Sequence, residues 1–219
     1  MALHPDKIAL CWPNYIDTAV VNGGQWVNTL PLERVQDARF SVVAKTASLD
    51  PVDTQFSITL PKRQRLHGLA IAAHNMTSTA QVRARIYRDA EQTDLIYDTD
   101  WQNVWLVLYG LDDVVWGDDN FWNRRLSEDD RQNYTPLMTL LFAERLLGTS
   151  VHVELLDPSN PAGAIIMGRV MLTDVWQPRK NLDWGVQHGY DTGTEITRAG
   201  DAARTGYASR VTPKRTVNF

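Results

Sequence analysis

The sequence predicts a mainly β protein, an antiparallel β-sandwich with N- and C-terminal arms, and three observations carry that prediction. Residues 151–178 read VHVELLDPSNPAGAIIMGRVMLTDVWQP: an apolar run (151–156), a turn rich in Pro, Asn and Gly (157–163), a second apolar run (164–173) and a Trp176-Gln177-Pro178 stop. That is the punctuation a β-hairpin requires. Residues 55–60 alternate Phe56, Ile58 and Leu60 with polar neighbours, and residues 80–88 alternate Val82, Ala84 and Ile86 with Arg83, Arg85 and Tyr87. A period of two marks a half-buried strand. The 219 residues are 43% hydrophobic, enough for a core of sandwich or barrel size.

Taken in order, residues 1–30 carry Pro13 and Asn22-Gly23-Gly24 and read as an arm or first strand. Residues 32–39 (LERVQDAR) suit one helical turn that leads into a strand at 40–45. After the strand at 55–60, Pro61-Lys62-Arg63-Gln64-Arg65 reads as a solvated turn, and 66–73 (LHGLAIAA) as a more apolar, central strand. His74-Asn75-Met76-Thr77-Ser78 turns the chain into the strand at 80–88. Residues 134–147 (YTPLMTLLFAERLL), closed by Gly148, form the helix candidate, although β-rich folds use such apolar runs as strands. The expected organisation is an arm or first strand (1–30), a sandwich domain (31–178) and a C-terminal extension (179–219).

Composition excludes several classes. A net charge of −4 and a pI near 5.7 argue against a nucleic-acid binder that depends on phosphate contacts. Mean hydropathy is −0.32 and no apolar run approaches the roughly 18 residues of a membrane span, so no membrane insertion is expected. The start MALHPDKIALCW lacks a secretory pattern. Cys11 is the single cysteine, which excludes an internal disulfide or a cysteine-based metal site; a small buried hydrophobe in a reducing cytoplasm is the expectation.

Residues 97–122 concentrate four of the eight tryptophans among six aspartates. Trp101, Trp105, Trp116, Asp118, Asp119 and Trp122 are the candidate binding or interface residues. Indoles beside carboxylates suit stacking on sugar rings, anchoring a protein interface, or simply packing the mouth of the sandwich. Asp112-Asp113 with Asp118-Asp119-Asn120 offers hard oxygen ligands for calcium, but the spacing matches no EF-hand loop, so neither metal nor cofactor is predicted. Catalytic signals are weak. Five histidines lie without metal-ligand spacing, and no nucleophile-elbow, P-loop or dinucleotide pattern occurs. His74 beside Asn75 is the best single polar candidate, and a ring bonded to its own turn is its simplest role. No enzyme is expected.

The order of segments resembles discoidin-like (galactose-binding-like) jelly-roll domains found in tail-tip proteins of long-tailed bacteriophages. The pieces are Leu30-Pro31-Leu32-Glu33-Arg34-Val35-Gln36-Asp37, the strand Leu69-Ala70-Ile71-Ala72-Ala73 ending in His74-Asn75, Val82–Tyr87 with Tyr97-Asp98, Phe121-Trp122, and Asp157-Pro158-Ser159-Asn160-Pro161-Ala162-Gly163 followed by Gly168-Arg169. The resemblance covers roughly residues 30–178. It implies a structural virion protein of a tail tip or baseplate, assembled in the host bacterial cytoplasm. Its implied partners are the tail tube, hub and fibres, in a homo-oligomeric ring (trimer or hexamer). The alternative it leaves open is a carbohydrate-binding module that recognises a cell-surface glycan through its Trp-rich loops. Secreted members of the resembled group carry a terminal cysteine pair that this chain lacks.

The extension supplies the last candidates. Residues 198–215 hold Arg198, Arg204, Arg210, Lys214 and Arg215 against one acid, Asp201. A basic arm meeting the acidic 112–119 surface of another copy offers charge complementarity, so Arg198, Arg204, Arg210 and Arg215 are the expected arm contacts.

Overall fold

The computed structural model describes residues 7–105, 116 and 135–179, together with the backbone of four later strands. In chain order the strands are β1 (Leu10–Asn14), β2 (Val20–Asn22), β3 (Ala44–Lys45), β4 (Gln55–Ala72), β5 (Gln81–Tyr87), β6 (Leu95–Asp98), β7 (Gln102–Asn103), β8 (Leu137–Leu156), β9 (Ile166–Met167) and β10 (Val170–Trp176). β11 (Gln187–Asp191), β12 (Glu195–Arg198), β13 (Arg204–Tyr207) and β14 (Lys214–Asn218) follow. Residues Met1–Gln177 form one unit and Pro178–Phe219 a second.

Two long strands organise the first unit. β4 spans 18 residues and β8 spans 20, and they pair antiparallel along most of their length. The first half of β4 lies between β2 and the second half of β8, which continues to β5 and β6. Its second half lies between β10 and the first half of β8, with β1 beyond β10 at the edge. Among the described residues all strand pairings are antiparallel, the mainly β architecture predicted. Register shifts between Thr59 and Gln64 let both long strands turn from one half into the other, as bulges do by bending a strand.

The core faces of both halves meet in one cluster. Phe56, Ile58, Val82, Ala84, Ile86, Val151 and Val153 come from one half, and Ile71, Met138, Val170 and Leu172 from the other; each is at most 1% exposed. Val82, Ala84 and Ile86 point inward as their alternation predicts. Leu32–Gln36 makes the expected single turn, a 3-10 helix that buries Leu32 and Val35. In the second unit β11 pairs with β14, and β12 with β13, as two antiparallel ladders.

Three expectations are corrected. The helix candidate at 134–147 is strand from Leu137 onward, with Met138, Leu140 and Phe142 buried and Leu137, Thr139 and Leu141 exposed. Pairing with β4 decides the state, because a lattice of cross-strand partners outweighs weak helix preference. The two runs around residues 157–163 do not form a hairpin, since β8 and β10 flank β4 rather than each other. Finally, Pro61–Arg65 is not a turn between strands. It is the exposed bulged middle of continuous β4, a place where proline is tolerated.

Candidate binding surface at the loop end

Where β4 ends, where β5 begins and where β8 ends, the chain makes loops at one end of the unit. The loop at residues 73–80 begins with Ala73 at φ 55°, a left-handed turn that takes the chain off β4. His74 is 5% exposed; its Nδ1 accepts from the Met76 N–H at 3.2 Å and its ring meets Trp105 edge-on at 5.4 Å. Asn75 reaches across the sheet, donating to the Ala164 carbonyl at 3.0 Å and accepting from the Ile166 N–H at 2.8 Å.

Asp157 and Asn160 lock the opposite loop onto this one. The Asp157 carboxylate, fully buried, accepts from the Thr77 N–H at 2.9 Å, the Thr77 hydroxyl at 2.5 Å and the Asn160 amide at 2.9 Å. The Asn160 amide also donates to the Asn75 carbonyl at 3.1 Å. Charge-assisted bonds of this kind are the stronger sort. The segment rich in Pro and Asn is thus a brace, and the His-Asn strand end with which it was paired in the sequence is its partner.

A third loop, residues 99–105, rests on this brace. Asp98 receives both Arg83 Nε (2.9 Å) and Nη2 (2.5 Å) and also the Asp100 N–H (2.9 Å). The Arg83 bond holds the Asp98 carboxyl below the usual carboxylate range. Buried Thr99 accepts from the Ala84 N–H and donates to the Asp100 carbonyl, both at 2.9 Å, and Gln102 donates to the Thr99 carbonyl at 2.8 Å. Asp100 sits at φ 52° and delivers Trp101 to the surface, 38% exposed. Gln102 and Asn103 beside it are exposed in β7.

Gln81 of β5 pairs with Asn103 on one side and Leu156 on the other. Leu156 is one wall of an open trough of about 420 Å³, completed by Ser48, Leu49, Asp50, Pro51 and Pro158. The ridge carrying Trp101 and this trough therefore flank the same strand end. Ser48 is held by its hydroxyl bond to Asp53 at 2.6 Å, so the floor is built rather than loose.

The predicted residues fare differently. Trp105 is half-buried, its Nε1 donating to the Met76 carbonyl at 2.9 Å, so it supports the loop. Trp116 is 76% exposed. Asp118, Asp119 and Trp122 lie outside the described residues, as does the acidic calcium candidate. Among the described residues no cluster of His, Cys, Asp and Glu could hold a metal ion. Arg198 and Arg204 are register partners in the β12–β13 ladder, and Arg215 of β14 is the register partner of Tyr190; Arg210 is outside the described residues. Cys11 is exposed, against expectation, because edge strand β1 lies beyond the core. The sequence reading missed Thr77, Asn160 and the trough. These sit in loops, where no periodicity reports which residue reaches which.

No family model and no curated relative matches this chain. Several solved structures are similar to it. The family 32 CBM from C. perfringens NanJ in complex with galactose shares 10% identity and a TM-score of 0.49, covering 76% of this chain and 100% of that one. A Streptococcus pneumoniae fucose binding module shares 11% and 0.46, covering 78% and 98%. The lectin domain of Lectinolysin complexed with Lewis B antigen shares 12% and 0.45, covering 74% and 97%. The fold described above stands on this chain's own strand pairing.

Proposed function

We propose that this chain is a binding module, not an enzyme, and that it recognises a glycan at the loop end of its sandwich. The observation that carries the reading is Trp101: an exposed indole on a loop whose backbone and side chains are otherwise tied down. An aromatic face covers the apolar C–H face of a sugar ring, and neighbouring amides and carboxylates take its hydroxyls. Asp100, Gln102 and Asn103 are exposed neighbours of Trp101 in the chain, and Asp50 with Ser48 borders the trough across Gln81. A rigid platform loses little conformational freedom on binding.

The test is titration calorimetry of the full chain against galactose, fucose and Lewis b oligosaccharide, the sugars named for the similar structures, followed by a wider glycan array. Trp101→Ala should reduce binding at least tenfold, and Trp176→Ala, at the far end of β10, should leave it unchanged. Equal affinity in Trp101→Ala and the parent would overturn the reading.

A second reading is a structural block of a phage tail tip, in a homo-oligomeric ring contacting tube, hub and fibres, assembled in the host cytoplasm. The basic residues at 198–215 set against the acidic 112–119 segment supply the charge complementarity that contacts between such copies need, and favour it. In virions carrying Trp101→Ala, intact particles that do not adsorb support the glycan reading, and failed assembly supports the block.

A further inference from the structure

The outward face of β4, β8 and β5 changes character toward the loop end. Away from that end its polar groups satisfy one another: Ser57 Oγ lies 2.9 Å from His152 Nδ1, Arg85 lies 2.7 Å from Glu154, and Arg83 lies 2.5 Å from Asp98. That is the solvated face expected of an antiparallel sheet. The last row differs. Gln81 of β5 has Asn103 of β7 as its register partner on one side and Leu156 of β8 on the other. One position along, Val82 and Leu155 are partners in the core, each 1% exposed. Side chains alternate along a strand and cross-strand partners share a face, so Asn103, Gln81 and Leu156 look outward together.

Asn103 is exposed and Gln81 half-buried, and among the described residues neither side-chain amide has a partner within the chain. The carboxylate of Asp50, on the trough, is likewise free among the described residues. An amide at such a position both donates and accepts, as a sugar hydroxyl does. Neighbouring strands lie about 4.8 Å apart, so the row from Asn103 through Gln81 to Leu156 runs about 10 Å across the strand ends. At one end exposed Trp101 precedes Asn103 by two residues. At the other the trough opens between Leu156, Pro158 and residues 48–51.

We infer that the glycan site takes an oligosaccharide laid across the strand ends, one sugar ring at the Trp101–Asn103 end, another in the trough, and the chain between them passing over Gln81. This rests on the glycan reading and adds to it the length of the ligand. A single pyranose ring is shorter than the row, so one sugar reaches one end of it and not the other. Linked rings reach both, and the second contact then forms within a complex already made, at high effective concentration. Leu156 and Pro158 offer an apolar wall to a ring at the trough, and the free groups of Asp50, Gln81 and Asn103 take hydroxyls along the way. The span is preset. The bonds from Thr77 to Asp157 fix the end of β8, and the bond from the Asp100 N–H to Asp98 fixes the loop before Trp101, so little ordering remains for the ligand to impose.

Titration calorimetry of the full chain with galactose, fucose and Lewis b oligosaccharide tests it. The oligosaccharide should bind at least about tenfold more tightly than either single sugar. Trp101→Ala and Asp50→Ala, at the two ends of the row, should each remove that advantage, and Gln81→Ala should reduce it. Trp101 and Asp50 are both exposed, and an unchanged melting temperature in each variant guards against a folding defect. Galactose or fucose binding as tightly as Lewis b would overturn the inference, and so would full Lewis b affinity in Asp50→Ala. In either case a loss of sugar binding in Trp101→Ala still upholds the glycan reading, which separates the two. If none of the three sugars binds, the inference falls together with that reading.

Discussion

Thr77 and Asp157 are eighty positions apart, yet the buried Asp157 carboxylate takes both the backbone N–H and the hydroxyl of Thr77. This contact ties the end of β8 to the loop that leaves β4. Asp157→Ala would leave the Thr77 N–H and one donor of Asn160 without their acceptor. The cost should be about 2–3 kcal/mol, the range for hydrogen bonds to a charged group whose partner stays buried. Thr77→Val, which keeps the backbone bond, should cost about 1 kcal/mol. Urea denaturation measures both, and equal costs would show that the hydroxyl bond carries the brace.

How much of this was legible in sequence follows from where periodicity operates. β5 was read correctly because Val82, Ala84 and Ile86 alternate with arginines in a strand half buried and half solvated. β8 misled because its first half is apolar on both faces, which erases the period of two and leaves LMTLLF ambiguous between helix and strand. The Asp157–Gly163 turn was recognised by its chemistry, but its partners were misassigned, because turn residues report a change of direction and not which strands then pair. Of the loop-end surface, Trp101 was legible by composition alone. Its fixed setting on Asp98 and Arg83 depends on a register between β5 and β6 that no local pattern encodes.

The Arg83–Asp98 pair should couple stability to loop order. Both side chains are roughly three-quarters covered and bonded through two contacts. A double-mutant cycle with Arg83→Met and Asp98→Asn should return a coupling of about 1 kcal/mol, above the typical exposed pair. The folded-state carboxyl of Asp98 titrates below its ordinary value. Its contribution is thus present above about pH 3.8 and is lost as pH falls through the lowered folded value. If Trp101 is a sugar platform, Asp98→Asn should also weaken glycan binding, because the Asp100 N–H loses its charged acceptor. Unchanged binding would mean that the turn at Asp100 holds without it.

His67 should make the fold sensitive to mild acid. The ring is 1% exposed, and burial, with the nearby Arg145 adding to it and Asp174 opposing it, keeps its pKa below the ordinary 6.5. The unfolded chain then binds a proton that the folded chain refuses. Stability is full above about pH 6.5 and falls as the pH drops below it, by at most about 1.4 kcal/mol per pH unit for one proton. His152, also held low by burial, adds in the same direction. In His67→Leu the slope of unfolding free energy between pH 7 and 5 should be visibly flatter. A slope identical to the parent's would assign the acid sensitivity elsewhere.

Two glycines should fail on substitution for different physical reasons. At Gly148, in β8, an added Cβ would lie 2.8 Å from Ile86 Cγ2, 3.1 Å from the Tyr87 carbonyl oxygen and 3.3 Å from Leu66 Cδ1. Ile86 is fully buried, so it has no room to retreat. Gly148→Ala should cost about 1–3 kcal/mol as overpacking. Gly163 has nothing within 4 Å of its Cβ position but holds φ +64°. Gly163→Ala should cost about 1–2 kcal/mol through the left-handed backbone alone. Substituting asparagine separates the causes, because it tolerates the left-handed region yet is larger than alanine. Gly163→Asn should recover most of the loss in thermal denaturation, whereas Gly148→Asn should be worse than Gly148→Ala. Recovery at both positions would mean that backbone conformation, and not the pressure against Ile86, requires glycine at 148.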